Sequence, residues 1–143
     1  MATPSPELSV RRHERYLCDL PAGVTVAPQS AGAVRVSRSA IGTNGRVQAR
    51  VVDASEGGVG LMCPVFFPLT CRLRVIFDSP AGGGQQIEAT VRIQRAVMWD
   101  RKPTYYLGGA FDGLSPEQAR AVAAALAALR AAGAVPVPEE SRA

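Results

Sequence analysis

Hydrophobicity alternates with a period of two along most of this chain and then switches to a period near 3.6, and that switch constrains the fold class more than any other feature. Around residues 45–52, Val47, Ala49 and Val51 point one way while Arg46, Gln48 and Arg50 point the other. Cys71, Leu73, Val75 and Phe77 alternate against Arg72, Arg74 and Asp78, and Ile87, Ala89, Val91 and Ile93 against Glu88, Thr90, Arg92 and Gln94. Strands of this kind bury one face and wet the other, as antiparallel sheets do. Shorter apolar runs at residues 24–27, 33–38, 59–63 and 105–111 bring the expected total to six or seven strands, separated by turns that carry Gly and Pro. A small antiparallel barrel or sandwich is expected. The run Gly82-Gly83-Gly84 after Pro80 is assigned to a hairpin loop with no chemistry of its own.

After Phe111 the periodicity becomes helical. Ser115 offers a hydroxyl N-cap, Pro116 occupies the first helical position and Gln118 the third, which is the signature of a capping box. Val122, Leu126 and Leu129 recur at helical spacing and Gly133 can end the helix, so one amphipathic helix is predicted over residues 115–132. Residues 1–10, with Pro4 and Pro6, are expected to form a flexible N-terminal tail, residues 11–133 a single domain, and residues 134–143, with Pro136 and Pro138, a disordered C-terminal tail. A length of 143 residues suffices for one hydrophobic core. With no apolar run near the ~18 residues that span a bilayer, a soluble, cytoplasmic protein is expected.

Composition narrows the function classes. Sixteen basic residues against twelve acidic give a net charge of +4, and all but Lys102 of the basic residues are arginine, whose planar fork suits phosphates and guanine edges. Three cysteines, Cys18, Cys63 and Cys71, lack a C-x-x-C spacing, which argues against both a disulfide framework and a zinc ribbon. Cys18 is expected to pack as a small apolar residue. His13 is the only histidine, so two-histidine metal sites and most Ser-His-Asp arrangements are excluded, and no enzymatic activity is expected. Trp99, after a strand, is expected to cap the core; Arg72, Arg74, Arg92 and Arg95 are expected on outward faces.

Two short motifs carry chemistry. Arg11-x-x-x-Arg15 places two guanidinium groups ahead of the first strands, with Arg12 beside the first of them. Asp53-Ala54-Ser55-Glu56-Gly57-Gly58 ends a strand and re-enters the sheet through Val59-Gly60-Leu61. There Asp53 can accept from N–H donors, Ser55 can donate, and the glycines allow close backbone approach. Each motif alone is compatible with a solvated basic linker or an ordinary Asx turn.

In this order, followed by Leu107-Gly108-Gly109-Ala110-Phe111 and then Leu114-Ser115-Pro116-Glu117-Gln118, the chain resembles the PilZ domain family from about Arg11 to the end of the helix. The resemblance implies a six-stranded antiparallel β-barrel with a C-terminal helix that binds cyclic di-GMP, requires no cofactor besides that ligand, and regulates a downstream effector protein. It further implies that Arg11 and Arg15 clamp phosphates and guanine edges, and that Asp53, Ser55 and Gly58 form the turn that receives a guanine. Arg12, Gly57 and Gly60 are the neighbouring candidates for the same site. A guanidinium fork matches guanine O6 and N7, and a carboxylate matches the N1 and N2 donors. Ordering of the arginine arm on binding is the expected switch. Two alternatives are a ligand-free adaptor that contacts proteins, and a basic nucleic-acid-binding barrel, the latter disfavoured by an aromatic content of 6%.

Overall fold

A computed structural model describes residues 14–42 and 44–137. Six strands, β1 (Tyr16–Val26), β2 (Val47–Ala54), β3 (Gly58–Cys63), β4 (Arg72–Asp78), β5 (Gln86–Asp100) and β6 (Thr104–Phe111), close a barrel in the spatial order β1-β2-β3-β6-β5-β4. Every neighbouring pair is antiparallel. The alternation seen in the sequence is the inside–outside alternation of this barrel: Val24, Val47, Val51, Leu61, Leu73, Val75, Val91, Ile93 and Leu107 are fully buried inside it. Closure removes free sheet edges, which is how a small barrel avoids edge-to-edge association.

The apolar run at residues 33–38 does not form a strand. Its start follows a 3₁₀ turn at Pro28–Ser30, and a second 3₁₀ turn begins at Arg38. Val34 and Val36 still pack against the core. These residues join no strand of the barrel, and the alternation half-buries two valines without a ladder. Conversely β1 is much longer than the 24–27 run, because it continues through Pro21. Pairing with β4 begins only at Ala22, so Pro21 lies where β1 has a barrel partner on the β2 side alone, a place that tolerates a missing N–H.

The helix α1 (Pro116–Ala131) begins with the capping box: Ser115 Oγ accepts from the Gln118 amide at 3.1 Å and Gln118 Oε1 accepts from the Ser115 amide at 2.8 Å. Gly133, at φ +82°, then reverses the chain, with the Ala134 amide donating to the Leu129 carbonyl at 2.9 Å. Val122, Ala125, Leu126 and Leu129 form its buried stripe against β5 and β1.

The segment that follows α1 runs along β1. The Leu17 amide donates to the Val135 carbonyl and the Val137 amide to the Arg15 carbonyl, each at 2.8 Å, flanking a Tyr16–Pro136 bridge. Val135 and Val137 thus make the ladder bonds, and Pro136 sits opposite Tyr16 where no donor is needed. Residues 134–137 are hydrogen-bonded structure where the two prolines had suggested a tail. Residues 138–143 and the stretch 1–13, including the expected N-terminal tail, lie outside the described residues.

The three cysteines are free; Cys63 and Cys71 are buried and Cys18 is half-buried, its thiol donating weakly to the Val51 carbonyl. Burial, with smaller contributions from Asp53 and Asp19, pushes the Cys18 thiol up to about 12, and burial also raises Cys63 and Cys71. A raised thiol pKa leaves little thiolate, the reactive form, at pH 8. An aromatic disulfide reagent at pH 8 is expected to react slowly with all three thiols of the folded protein and to titrate three at once in denaturant. Rapid labelling of one thiol without denaturant would contradict this.

Candidate functional site

Strict alternation along β2 would turn Asp53 inward, in line with Val47, Ala49 and Val51. It does not face inward, because the ladder slips at this point: Val51 pairs with Leu61 but Asp53 pairs with Gly60, leaving Val52 without a partner on β3. Leu61 is a core residue, so Gly60 and its partner Asp53 face the outside of the barrel. The pairing of β1 with β2 shifts at the same place, between Leu17 and Leu20. A second slip, between Ile93 and Arg95, turns Arg95 outward beside Gly108 in the same way. β-Bulges re-aim side chains next to functional sites, and here two of them aim a carboxylate and a guanidinium into one cleft.

That cleft has a volume of about 300 Å³ and is lined by Arg15 and Leu17 of the β1 end, Val52 and Asp53 of β2, Met62 of β3, Arg95, Val97 and Trp99 of β5, Tyr106 of β6, and Val137. It lies at the lower end of the size range of small-molecule sites. Its polar centre is Asp53, which is 6% exposed. Tyr106 donates its hydroxyl hydrogen to Asp53 Oδ2 at 2.8 Å, and Arg15 donates to the Tyr106 hydroxyl at 3.4 Å. Among the described residues Asp53 Oδ1, which is buried, accepts no hydrogen bond; the Arg15 guanidinium is 3.8 Å from it. Burial first, and the Asp53 charge second, push the Tyr106 hydroxyl up to about 12, so it remains a donor throughout the neutral range. The Arg95 guanidinium stands 5.8 Å from the centre of the Tyr106 ring.

The turn residues divide between forming the site and closing the barrel. Ser55 is buried, its Oγ accepting from the Gly57 amide at 3.1 Å and its amide donating to the Gly58 carbonyl at 2.9 Å, so it shapes the β2–β3 turn. Gly57 accepts from the Phe111 amide at 2.9 Å and ties the turn to β6. A Cβ on Gly58 would lie 2.0 Å from the Gly109 carbonyl oxygen, and one on Gly60 would lie 2.4 Å from both Asp53 Oδ2 and the Tyr106 hydroxyl. Gly60 therefore makes room for the Asp53–Tyr106 contact. Of the expected arginines, Arg15 reaches the cleft, while Arg11 and Arg12 lie outside the described residues, as does His13.

Three cleft residues were not assigned to the site by sequence. Trp99 does not cap the core: it is 65% exposed and lines the cleft, because the β5–β6 ribbon carries it past the end of the core. Arg95 was one of four outward arginines with nothing to single it out. Arg72 and Arg74 pair with Asp112 and Glu88 instead. Tyr106 gave no sequence signal beyond lying in a strand, since the residue it serves is far away in the chain. Among the described residues no group of three His, Cys, Asp or Glu side chains could hold a metal ion, and no helix is long and apolar enough to cross a membrane.

A cleft of this make-up suits a ligand with hydrogen-bond donors for one carboxylate oxygen, anionic or acceptor groups for two guanidiniums, and a flat face for an aromatic ring. The PilZ domain family matches the sequence over residues 9–128. The chain belongs to that family. Its barrel is also that of solved PilZ structures. The PilZ domain of YcgR from Escherichia coli, solved with c-di-GMP, is 17% identical with a TM-score of 0.59, the match covering 85% of this chain and 93% of that one. A tetrameric PilZ protein from Xanthomonas campestris is 14% identical with a TM-score of 0.59, over 85% and 88% of the two chains. The Bacillus subtilis inhibitor of motility MotI/DgrA is 14% identical with a TM-score of 0.61, over 85% of this chain and 51% of that one, so the PilZ chain spans about half the length of that relative. No curated protein sequence matches it.

Proposed function

We propose that this PilZ protein is a cytoplasmic, non-enzymatic receptor for cyclic di-GMP that passes binding on to a downstream effector protein. The observation that carries the proposal is Asp53 Oδ1, a buried carboxylate oxygen without a hydrogen bond among the described residues, facing a cleft that also holds Arg15 and Arg95. An unsatisfied buried acceptor destabilises a protein by ~1–3 kcal/mol, more when charged, and its retention calls for a ligand that satisfies it. A guanine supplies N1 and N2 donors for that oxygen and O6 and N7 acceptors for a guanidinium, and Trp99 offers a face for stacking. The phosphodiesters supply anionic oxygens for the Arg15 and Arg95 guanidiniums. In keeping with this, the E. coli YcgR domain of the same fold was solved with c-di-GMP.

Isothermal titration calorimetry of the purified protein with cyclic di-GMP, with GMP as the control ligand, tests the proposal. Saturable binding at micromolar or lower concentration, absent with GMP, is the expected result; no heat at two temperatures would move the weight to a ligand-free adaptor. Arg15→Ala is expected to weaken binding by about 1.5–3 kcal/mol through loss of a charge-assisted contact. Its melting temperature should remain near that of the wild type, because among the described residues the Arg15 side chain makes one long hydrogen bond, to Tyr106, and a loose 3.8 Å ion pair with Asp53. Unchanged affinity in that variant would count against the site.

A further inference from the structure

Arg15 and Asp53 carry opposite charges, face one cleft and form a loose ion pair without a direct hydrogen bond. Their nearest atoms, Arg15 Nη1 and Asp53 Oδ1, are 3.8 Å apart, beyond hydrogen-bond distance, although among the described residues Asp53 Oδ1 has no hydrogen-bond partner. Direct closure would satisfy that oxygen with a charge-assisted bond, so something holds the two groups apart. The Tyr106 hydroxyl stands between them: it donates to Asp53 Oδ2 at 2.8 Å and accepts from Arg15 Nη1 at 3.4 Å. Gly60 permits the arrangement, since a Cβ there would occupy the space where the hydroxyl meets the carboxylate.

We infer that Tyr106 is a positioning residue whose hydroxyl spaces Arg15 from Asp53, so that neither charge is consumed by the other and both stay available to a ligand. The inference rests on the proposed ligand site. The physical logic is competitive: a closed Arg15–Asp53 pair must be broken before a ligand can bind either group, and the ligand's affinity falls by the cost of breaking it. With the hydroxyl in place the carboxylate is anchored through Oδ2 alone and Oδ1 is left for the ligand. The raised Tyr106 hydroxyl, kept protonated by burial, preserves the donor on which the spacing depends.

Tyr106→Phe in the full chain removes the hydroxyl and keeps the ring, and thermal melting followed by circular dichroism verifies that the barrel stays folded. In a crystal structure of this variant without ligand, Arg15 and Asp53 are expected to approach to within about 3.2 Å. A separation still near the wild-type value would overturn the inference. Affinity for cyclic di-GMP, by calorimetry, is expected to fall about tenfold. An unchanged affinity would overturn the inference, and so would a fall without contraction of the pair, which would mean that the hydroxyl touches the ligand itself. Should Tyr106→Phe not fold, Tyr106→Phe combined with Asp53→Asn removes the ion pair along with the spacer, and the Arg15 side chain in its structure is then expected away from residue 53; an Arg15 still hydrogen-bonded there would overturn the inference. If the wild-type protein does not bind cyclic di-GMP, the receptor proposal falls, and the ligand-free structure of Tyr106→Phe still decides the role of the hydroxyl.

Discussion

Gly58→Ala is expected to destabilise the barrel by about 4 kcal/mol, a large fraction of what a domain of this size has. A Cβ on residue 58 would lie 2.0 Å from the carbonyl oxygen of Gly109 and 3.0 Å from the Cα of Ala110. Both neighbours are backbone of β6, so no side chain can swing aside. The strands must part by more than an ångström at the place where Gly58 pairs with Ala110, and the tie from the Phe111 amide to the Gly57 carbonyl, which closes the turn onto β6, loosens with them. Loss of two or three such bonds at about 1 kcal/mol each, plus overpacking of about 1–3 kcal/mol, gives the stated magnitude. Urea denaturation measures it directly; a loss below 1 kcal/mol would mean that the ladder yields without strain. The glycine that the family motif associates with ligand is thus first a requirement of barrel closure, and binding data on its variants must be normalised to the folded fraction.

Asp53→Ala is expected to behave in the opposite way, lowering affinity for cyclic di-GMP by at least about 100-fold, or roughly 3 kcal/mol, while stability changes by no more than about 1 kcal/mol. In the free protein Oδ1 makes no hydrogen bond, so its removal forfeits none. The bond lost is the one from Tyr106 to Oδ2, worth about 1 kcal/mol, and the partly exposed Arg15 guanidinium turns to water. Removal of a buried, incompletely paired carboxylate also relieves a desolvation cost. With ligand present the balance reverses, because the donors of the base lose their acceptor. Calorimetry and a thermal scan on the same preparation separate the two effects. Retained affinity, or destabilisation as large as that of Gly58→Ala, would contradict the assignment.

The barrel and its helix were legible because burial in a one-layer closed sheet repeats every second residue, and the helix start carries its own chemistry in Ser115, Pro116 and Gln118. The site was legible only where residue identity sufficed, at Arg15 and Asp53. Its geometry was hidden because it depends on breaks in the pattern. Strict alternation points Asp53 into the core, and only the slip at Val52 turns it out; Arg95 does face outward as expected, but it reaches that face from the inward row of Ile87 to Ile93 through the slip at Gln94. Tyr106 meets Asp53 across the intervening β3, a contact between residues 53 positions apart that local periodicity does not encode. The segment after α1 misled for a simpler reason. Proline usually signals an end to regular structure, yet the ladder with β1 uses the Val135 carbonyl and the Val137 N–H, and Pro136 falls between them where no donor is needed.

That short ladder places Arg15 at a junction. Its guanidinium belongs to the cleft, and its carbonyl is held by the Val137 amide. A ligand that engaged the side chain would act on a residue whose backbone the segment after the helix already holds, and a coupling between the two contacts would be reciprocal. Cleft and C-terminal strap thus meet in one residue, through its side chain and its carbonyl.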